Sequence, residues 1–162
     1  MPTMKIIDTC TLINFFNSLD IDLSLCFEGY YAVVTNHVVW EYTRKIPRQI
    51  PKCISVMGMS EEGKILMEEM EPHFPRLGIG ERSVFVSALI AASAGFKVAV
   101  LSDDQDAIKK FSELAGKPAI SARFPGSENI IWGDALSFIH KFADEGKISG
   151  SDRDKACRIL KR

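Results

Sequence analysis

Five acidic residues lie close to the predicted ends of apolar strands or in the helices that follow them: Asp8, Glu41, Glu81 and the pair Asp103 and Asp104. In an open parallel α/β sheet, ligands bind outside the carboxyl ends of the strands, so acids far apart in sequence can converge there. Two like charges about 4 Å apart repel by about 4 kcal/mol at an effective dielectric near 20. Clustered carboxylates favour a hard cation such as Mg²⁺ or Mn²⁺. The pattern therefore suggests a divalent-metal hydrolase.

Each acid also has a structural explanation when it is considered alone. Asp8 can cap the helix that follows its strand. Glu41 lies within a predicted helix, where a glutamate usually faces solvent. Glu81 opens a helix, and a carboxylate at that position stabilises the helix dipole by about 0.3–1 kcal/mol. Asp103 and Asp104 can be a cap and its neighbour. Only the joint pattern distinguishes a site from a set of caps.

Apolar runs and turn residues predict alternating strands and helices. Strands are predicted at 5–7, 31–35, 97–101 and, more weakly, 129–132. Helices are predicted at 9–18, after a cap at Asn36, and at 60–71, 81–94, 104–114, 134–144 and 152–160. The segment that contains Pro47 and Pro51 is predicted to be a loop. This βα alternation predicts a three-layer α/β/α sandwich around a central parallel sheet.

Composition favours one globular domain over the whole chain, 1–162. The chain is 46% hydrophobic and 25% charged, and no apolar run reaches the roughly 20 residues of a membrane span. We therefore expect a cytoplasmic protein. The four cysteines lack CxxC spacing, which argues against a zinc or disulfide framework. A net charge of −1 gives no general attraction for nucleic acid, so a polyanion would need a local basic rim.

Four segments carry a family resemblance in a fixed order: MKIIDTCTLINFF, VVTNHVVWEYTR, LGIGERSVFVSALIAASAG and VAVLSDDQDA. With their strands and helices, they resemble the PIN-domain nucleases, which include the ribonuclease toxins of prokaryotic toxin–antitoxin pairs and related RNA-processing enzymes. The resemblance covers residues 4–115. The helices predicted within 134–160 lie outside it and are expected to complete the core or to form an interface.

The resemblance implies a function for each matched residue. Asp8, Glu41, Glu81 and Asp104 are the implied catalytic residues; these four and Asp103 are the implied ligands of Mg²⁺ or Mn²⁺; Thr9 and Thr11 are supporting hydroxyls. The implied activity is cleavage of single-stranded RNA by a metal-activated water. The implied partners are single-stranded RNA, an antitoxin protein and a second copy of the chain in a homodimer.

One position departs from the family pattern. Ser87 stands where many toxin members carry an acid, and the acid lies instead at Glu81. Because these residues are six apart, they do not share a helix face, and Ser87 is expected only to support the site. The departure leaves open a PIN-fold protein that binds RNA or protein without cutting. A haloacid-dehalogenase-like phosphohydrolase is disfavoured, because DTCT lacks the second Asp of DxDxT.

Basic residues beside the acids are candidates for contacts with RNA phosphates, which orient a strand without reading its sequence. Arg44, Lys45 and Arg82 are the main candidates, and Arg48 lies a few residues further along. Trp40 and Tyr42 could stack on bases. Both are expected in the core, because aromatic residues on an apolar helix usually pack inward.

Overall fold

The computed structural model describes residues 3–19, 21–27, 29–73 and 76–161. Within them, five strands form one all-parallel sheet in the order β3-β2-β1-β4-β5. The strands are β1 (Met4–Ile7), β2 (Tyr31–Thr35), β3 (Ser55–Met57), β4 (Val98–Leu101) and β5 (Ile131–Gly133). Helices flank the sheet, which confirms the predicted α/β architecture with a central parallel sheet.

The α-helices are α1 (Thr9–Ile13), α2 (Asn36–Lys45), α3 (Glu61–Met70), α4 (Ile79–Ser93), α5 (Gln105–Ala115), α6 (Pro118–Arg123), α7 (Ala135–Asp144) and α8 (Gly150–Leu160). A π-helical turn, Asn14–Ser18, extends α1, and 3₁₀ turns cover Ser24–Phe27, Glu71–His73 and Ser127–Asn129. No helix in the described ranges is both long enough and apolar enough to cross a membrane.

The two strands at the centre of the sheet are the ones that sequence alone identifies most clearly. All four residues of β1 and of β4 are buried, as expected for strands covered by helices on both faces. The edge strand β3 was missed, because it has only three residues and most of it is exposed. The short helix α6, which Pro118 begins, was missed as well.

Helix starts depend on caps, and one predicted cap was wrong. Asn36 was expected to cap α2, but Thr35 does so: its Oγ1 accepts a hydrogen bond from the Val38 N–H at 3.1 Å. Helix α4 begins at Ile79, with Gly78 as its N-cap, slightly before the predicted start at 81. The sequence left open which of Asp103 and Asp104 caps α5, and the structure shows that Asp104 does.

Aromatic side chains pack in two separate groups between the sheet and its helices. Phe85 of α4 stacks on Phe111 of α5, with ring centroids 4.6 Å apart. The other group joins Phe15, Phe27 and Phe142 of α7. The C-terminal helix α7 therefore packs into the core, which is one of the two alternatives expected for this region.

The order of the strands defines where a site can form. From β1 the chain proceeds outward to β2 and β3 on one side, whereas β4 and β5 lie on the other side of β1. This reversal creates a crevice at the carboxyl ends of β1 and β4, the usual ligand position in open α/β sheets. Asp8 follows β1 and Ser102 follows β4 directly, so both lie at this crevice.

Candidate active site at the carboxyl ends of β1 and β4

Asp8 is the buried centre of the site. Its residue is only 2% exposed, and its backbone N–H donates to the Leu101 carbonyl at 2.9 Å, which joins the ends of β1 and β4. Its Oδ1 accepts from the Thr9 N–H at 2.8 Å, and its Oδ2 accepts from the Ser102 hydroxyl at 3.1 Å. Asp8 therefore caps α1 and also presents a carboxylate to the crevice, so the two interpretations of this residue are compatible.

Glu41 reaches the site from α2 and is held by two donors. Its Oε1 accepts from the Gly80 N–H at 2.9 Å, and its Oε2 accepts from the Thr9 hydroxyl at 3.0 Å. A Cβ added to Gly80 would lie 2.2 Å from the same Oε1, so only glycine allows this approach. Thr9 supports the site, as predicted, through Glu41.

Glu81, in the first turn of α4, has a different environment. Its Oε2 is buried, and no hydrogen-bond donor contacts it. Burial, together with the charges of Asp8, Asp104 and Glu41, raises the pKa of Glu81 to about 7, while Lys45 opposes the rise. A buried carboxylate oxygen without a donor is rare in proteins, which makes it a candidate for binding a cation.

Asp104 and Asp103 are adjacent but have different partners. Asp104 caps α5, because its Oδ1 accepts from the Ala107 N–H at 3.0 Å. Asp103 instead joins three elements: its Oδ2 accepts from Thr11 at 3.0 Å and Asn14 at 2.6 Å, and its Oδ1 accepts from the Ala135 N–H at 2.9 Å. Three of the roughly four lone-pair positions of this carboxylate are therefore used. Asp103 is better placed to hold the structure together than to bind a metal.

The pKa of Asp8 shows that the acids influence one another. Burial raises this pKa to about 6, and the charges of Glu41 and Asp104 add to the effect, against the Thr9 and Ser102 hydrogen bonds. Glu81 responds to the same neighbours. The charges of the four acids implied as catalytic therefore act on one another near the carboxyl ends of β1 and β4. These acids are Asp8, Glu41, Glu81 and Asp104.

The carboxylate oxygens of these four acids are of the donor type that a hard divalent cation prefers. Asp8 and Glu41 each use two lone pairs on the hydrogen bonds described above and Asp104 uses one, while Oε2 of Glu81 uses none. Oxygen ligands with free lone pairs are what Mg²⁺ and Mn²⁺ prefer. However, no group of three or more His, Cys, Asp or Glu side chains in the described part of the chain is arranged to hold an ion.

The predicted phosphate-binding residues are placed differently from one another. Lys45 lies close enough to the acids to oppose the rise in the Glu81 pKa. The Arg44 guanidinium lies 4.3 Å from the ring centroid of Trp40. Arg82 turns away to Glu71, with 3.8 Å between its Nη1 and the Glu71 Oε2, and its side chain is only 14% exposed. The structure therefore brings Arg44 and Lys45 to an open surface and leaves Arg82 in a partly buried ion pair.

Two of the supporting residues lie outside the acid group. Ser87 lines a separate cavity of about 220 Å³ with Met4 and Phe96, both at the amino ends of strands. It therefore does not replace the acid that family members carry at this position. Thr11 contacts Asp103, as noted above, rather than Asp8 or Glu81.

Sequence reasoning missed several residues that position the acids. Ser102 joins Asp8 to the start of the Asp104 turn, because its hydroxyl also accepts from the Asp104 N–H at 3.2 Å. Gly80 holds Glu41, and the Gly-Ile-Gly segment at the start of α4 is the sequence signal for it. Trp40 was expected in the core but is 55% exposed, whereas Tyr42 is buried as expected.

The fold and this site define an all-parallel α/β protein with converging carboxylates at its topological switch point. Comparison with protein-family models, with curated proteins and with solved structures found no match. The family resemblance therefore rests on the residues of the four sequence segments alone.

Proposed function

We propose that this protein is a PIN-like, divalent-metal-dependent endoribonuclease that cleaves single-stranded RNA. The observation that supports it most is the convergence of Asp8, Glu41, Glu81 and Asp104, in which Glu81 keeps a buried oxygen without a hydrogen-bond donor. A bound divalent cation would offset the repulsion among these carboxylates.

In this proposal, Asp8, Glu41, Glu81 and Asp104 hold Mg²⁺ or Mn²⁺. The bound ion would lower the pKa of a water and neutralise charge on the scissile phosphate. Thr9 and Gly80 keep the Glu41 carboxylate turned towards the site, and Ser102 does so for Asp8. Lys45 adds a positive charge at the rim, where an RNA phosphate would approach.

The test is cleavage of a short single-stranded RNA with Mg²⁺ or Mn²⁺. Wild-type protein should cut, EDTA should stop the reaction, and Asp8→Asn should lower the rate by at least about 100-fold, because second-shell changes at metal sites alone cost 10–100-fold. Asp144→Asn is the matched control, since Asp144 is an exposed acid at the end of α7, and it should cut normally. Equal cleavage by Asp8→Asn, or cleavage in EDTA, would refute the proposal.

A second function is favoured by one specific observation, namely that no three described acidic, histidine or cysteine side chains are arranged for an ion. In that case the protein is a PIN-fold module that binds RNA or protein without cutting. Titration calorimetry with Mn²⁺ separates the two functions: heat of binding that Asp8→Asn abolishes supports the nuclease. RNA binding without Mn²⁺ binding supports the module.

The proposal extends to a toxin of a toxin–antitoxin pair, with an antitoxin protein and a homodimer as partners. It is supported by the family resemblance described above. Induced expression should arrest growth of a bacterial host, and Asp8→Asn should not, while light scattering should give twice the mass of one chain. Growth arrest by both proteins would contradict the toxin activity, and the mass of a single chain would contradict the homodimer.

A further inference from the structure

An exposed aromatic side chain lies directly beside the acid site. Trp40 precedes Glu41 in α2 and is 55% exposed, whereas Val38 and Tyr42 point to the opposite side of the helix and are buried. A large apolar ring in contact with water is costly, at about 25 cal/mol per Å² of apolar surface. Its position next to a metal-site candidate calls for a functional explanation.

Two cavities share the indole of Trp40. One, of about 280 Å³, is lined by Trp40, Glu41, Arg44 and Lys45. The other, of about 380 Å³, is mostly apolar and is lined by Asn36, His37, Trp40 and Ile79. Trp40 therefore lines both a charged cavity beside Glu41 and an apolar cavity beside the start of α4.

The charge around the ring is complementary to a nucleic acid strand. The Arg44 guanidinium lies over the indole at 4.3 Å from its centroid, which holds the ring in place. Arg44 and Lys45 are both exposed and follow Trp40 in the same helix. A nucleotide combines an apolar, flat base with a phosphate, so it matches an aromatic face with two cations beside it.

We propose that Trp40 stacks on an unpaired base of single-stranded RNA, and that Arg44 and Lys45 bind the adjoining phosphates. This inference rests on the proposed function, since it takes RNA as the ligand. It adds the position of the substrate: a base on Trp40 places the neighbouring phosphate towards Glu41 and the other acids. Base stacking tolerates any sequence, so the platform positions the strand without selecting a base.

The test measures binding of a fluorescein-labelled six-nucleotide uridine RNA by anisotropy, in EDTA and at low salt so that no cleavage occurs. Trp40→Leu should weaken binding roughly 5- to 150-fold, which corresponds to the loss of one stacked base. Trp40→Phe should lose less, because it keeps an aromatic face. Tyr31→Leu is the matched control, since Tyr31 is also an exposed aromatic residue, 41% exposed, but lies at the amino end of β2.

A second readout reports stacking itself. The chain has two tryptophans, so in a Trp132→Phe background Trp40 alone emits. Uridine RNA should quench this emission at the concentrations that saturate the anisotropy, and an abasic strand of the same length should not. Quenching by both strands would show that phosphate contacts, and not a base, approach the ring, and would overturn the proposal.

The remaining outcomes are also decisive. If wild-type protein binds the RNA and Trp40→Leu binds it equally well, the base lies elsewhere and only this inference fails. If wild-type protein binds no RNA even with Mg²⁺ present, the proposed function fails with it. If the emission of Trp40 changes with protein concentration alone, together with a doubling of mass, a second copy covers the ring and the proposal is wrong.

Discussion

Two groups of charged side chains lie in the interior of this protein, and their partners differ. At the carboxyl ends of the central strands, burial raises the pKa of Asp8 to about 6. The second group surrounds Lys5 of β1, which is 2% exposed. Burial together with the charge of Lys141 lowers the pKa of Lys5 to about 8. Both groups therefore carry charge at a cost, and what compensates each one indicates its role.

In the lysine group, which contains Lys5 and Lys147, neighbouring aromatic rings and Glu145 offset the positive charge. Nζ of Lys5 lies 4.4 Å from the ring centroid of Tyr30 and 4.5 Å from that of Phe138, so two aromatic faces surround the ammonium. Lys147 lies 3.9 Å from the Tyr30 centroid and 3.4 Å from a Glu145 oxygen. The Tyr30 hydroxyl donates to Glu145 as well. The rings and Glu145 thus offset part of the charge of Lys5 and Lys147, which is typical of a structural cluster.

The acid group does not compensate its own charge. Its hydrogen bonds come from Thr9, Ser102, Gly80 and Ala107, and none of these donors is a cation. Lys45 is the cation that acts on Glu81, and it is exposed. A structural cluster would be expected to include its own counter-charge, as the lysine group does. The uncompensated acids Asp8, Glu41, Glu81 and Asp104 are therefore better explained by function than by structure.

Gly80→Ala should displace the Glu41 carboxylate and thereby lower activity without unfolding the protein. The added Cβ would lie 2.2 Å from Oε1 of Glu41 and displace that flexible carboxylate, while the fold should tolerate the change. Cleavage should fall about 10- to 100-fold, as for other losses of ligand positioning, and the free energy of unfolding should change by less than about 1 kcal/mol. Gly78→Ala is the control, because its Cβ would stay 3.8 Å away. Full activity of Gly80→Ala would show that the position of Glu41 is not used.

Asp103→Ala and Asp104→Ala should differ in whether they mainly lower stability or mainly lower metal affinity. Asp103→Ala leaves the donors of Thr11, Asn14 and Ala135 without their acceptor, so unfolding should become easier by about 2–4 kcal/mol. Asp104→Ala loses a helix cap, which costs about 1 kcal/mol. Mn²⁺ affinity should show the opposite order, with the larger loss in Asp104→Ala. Urea unfolding gives the stability of both variants, and calorimetry gives their Mn²⁺ affinity. If both variants lost Mn²⁺ affinity equally, Asp103 would be a metal ligand as well.

Asp8→Asn should stabilise the metal-free protein at pH 7 by about 2 kcal/mol, although it removes activity. Between the ordinary pKa of 3.8 and the folded value of about 6, the folded state keeps a proton that the unfolded state has lost. Wild-type stability therefore falls as pH rises through that window. The advantage of Asp8→Asn should disappear as pH falls below about 4. Urea unfolding in EDTA at several pH values measures the difference in stability between the two proteins. If Asp8→Asn were less stable at pH 7, the charge of Asp8 would not destabilise the folded protein.

Lys5→Met should give the smallest effect, a gain of about 1–2 kcal/mol at pH 7, because an apolar chain fits among Tyr30 and Phe138 without a charge. Between about 8 and 10.5 the unfolded state binds a proton that the folded state has lost, so wild-type stability rises with pH there. The advantage of the variant should shrink over that range. Lys109→Met, at an exposed position on α5, is the control. A loss of stability at pH 7 would mean that the rings stabilise the ammonium more than burial costs.

Much of the fold could be predicted from local patterns. The apolar runs of β1, β2 and β4 are properties of neighbouring residues, so these strands were predicted correctly. The edge strand β3 was not, because three largely exposed residues carry no apolar pattern and their pairing with β2 is a long-range contact.

The candidate site shows the same division. The sequence alone determined that acids follow the central strands, since strand ends and helix starts can be recognised locally. Which acid serves which purpose was decided by the tertiary structure: Asp103 meets Asn14 and Ala135, elements 32 or more residues away, and so becomes a structural acceptor.

Exposure was decided in the same way. Trp40 and Tyr42 are two residues apart on one helix, yet the tertiary structure buries Tyr42 and leaves Trp40 in solvent. The rotation of α2 on its neighbours sets that difference, because residues two apart point in directions about 200° apart. The sequence determined that charged and aromatic groups lie near the ends of the central strands. Strand order and helix rotation then determined which of them face one another and which face the solvent.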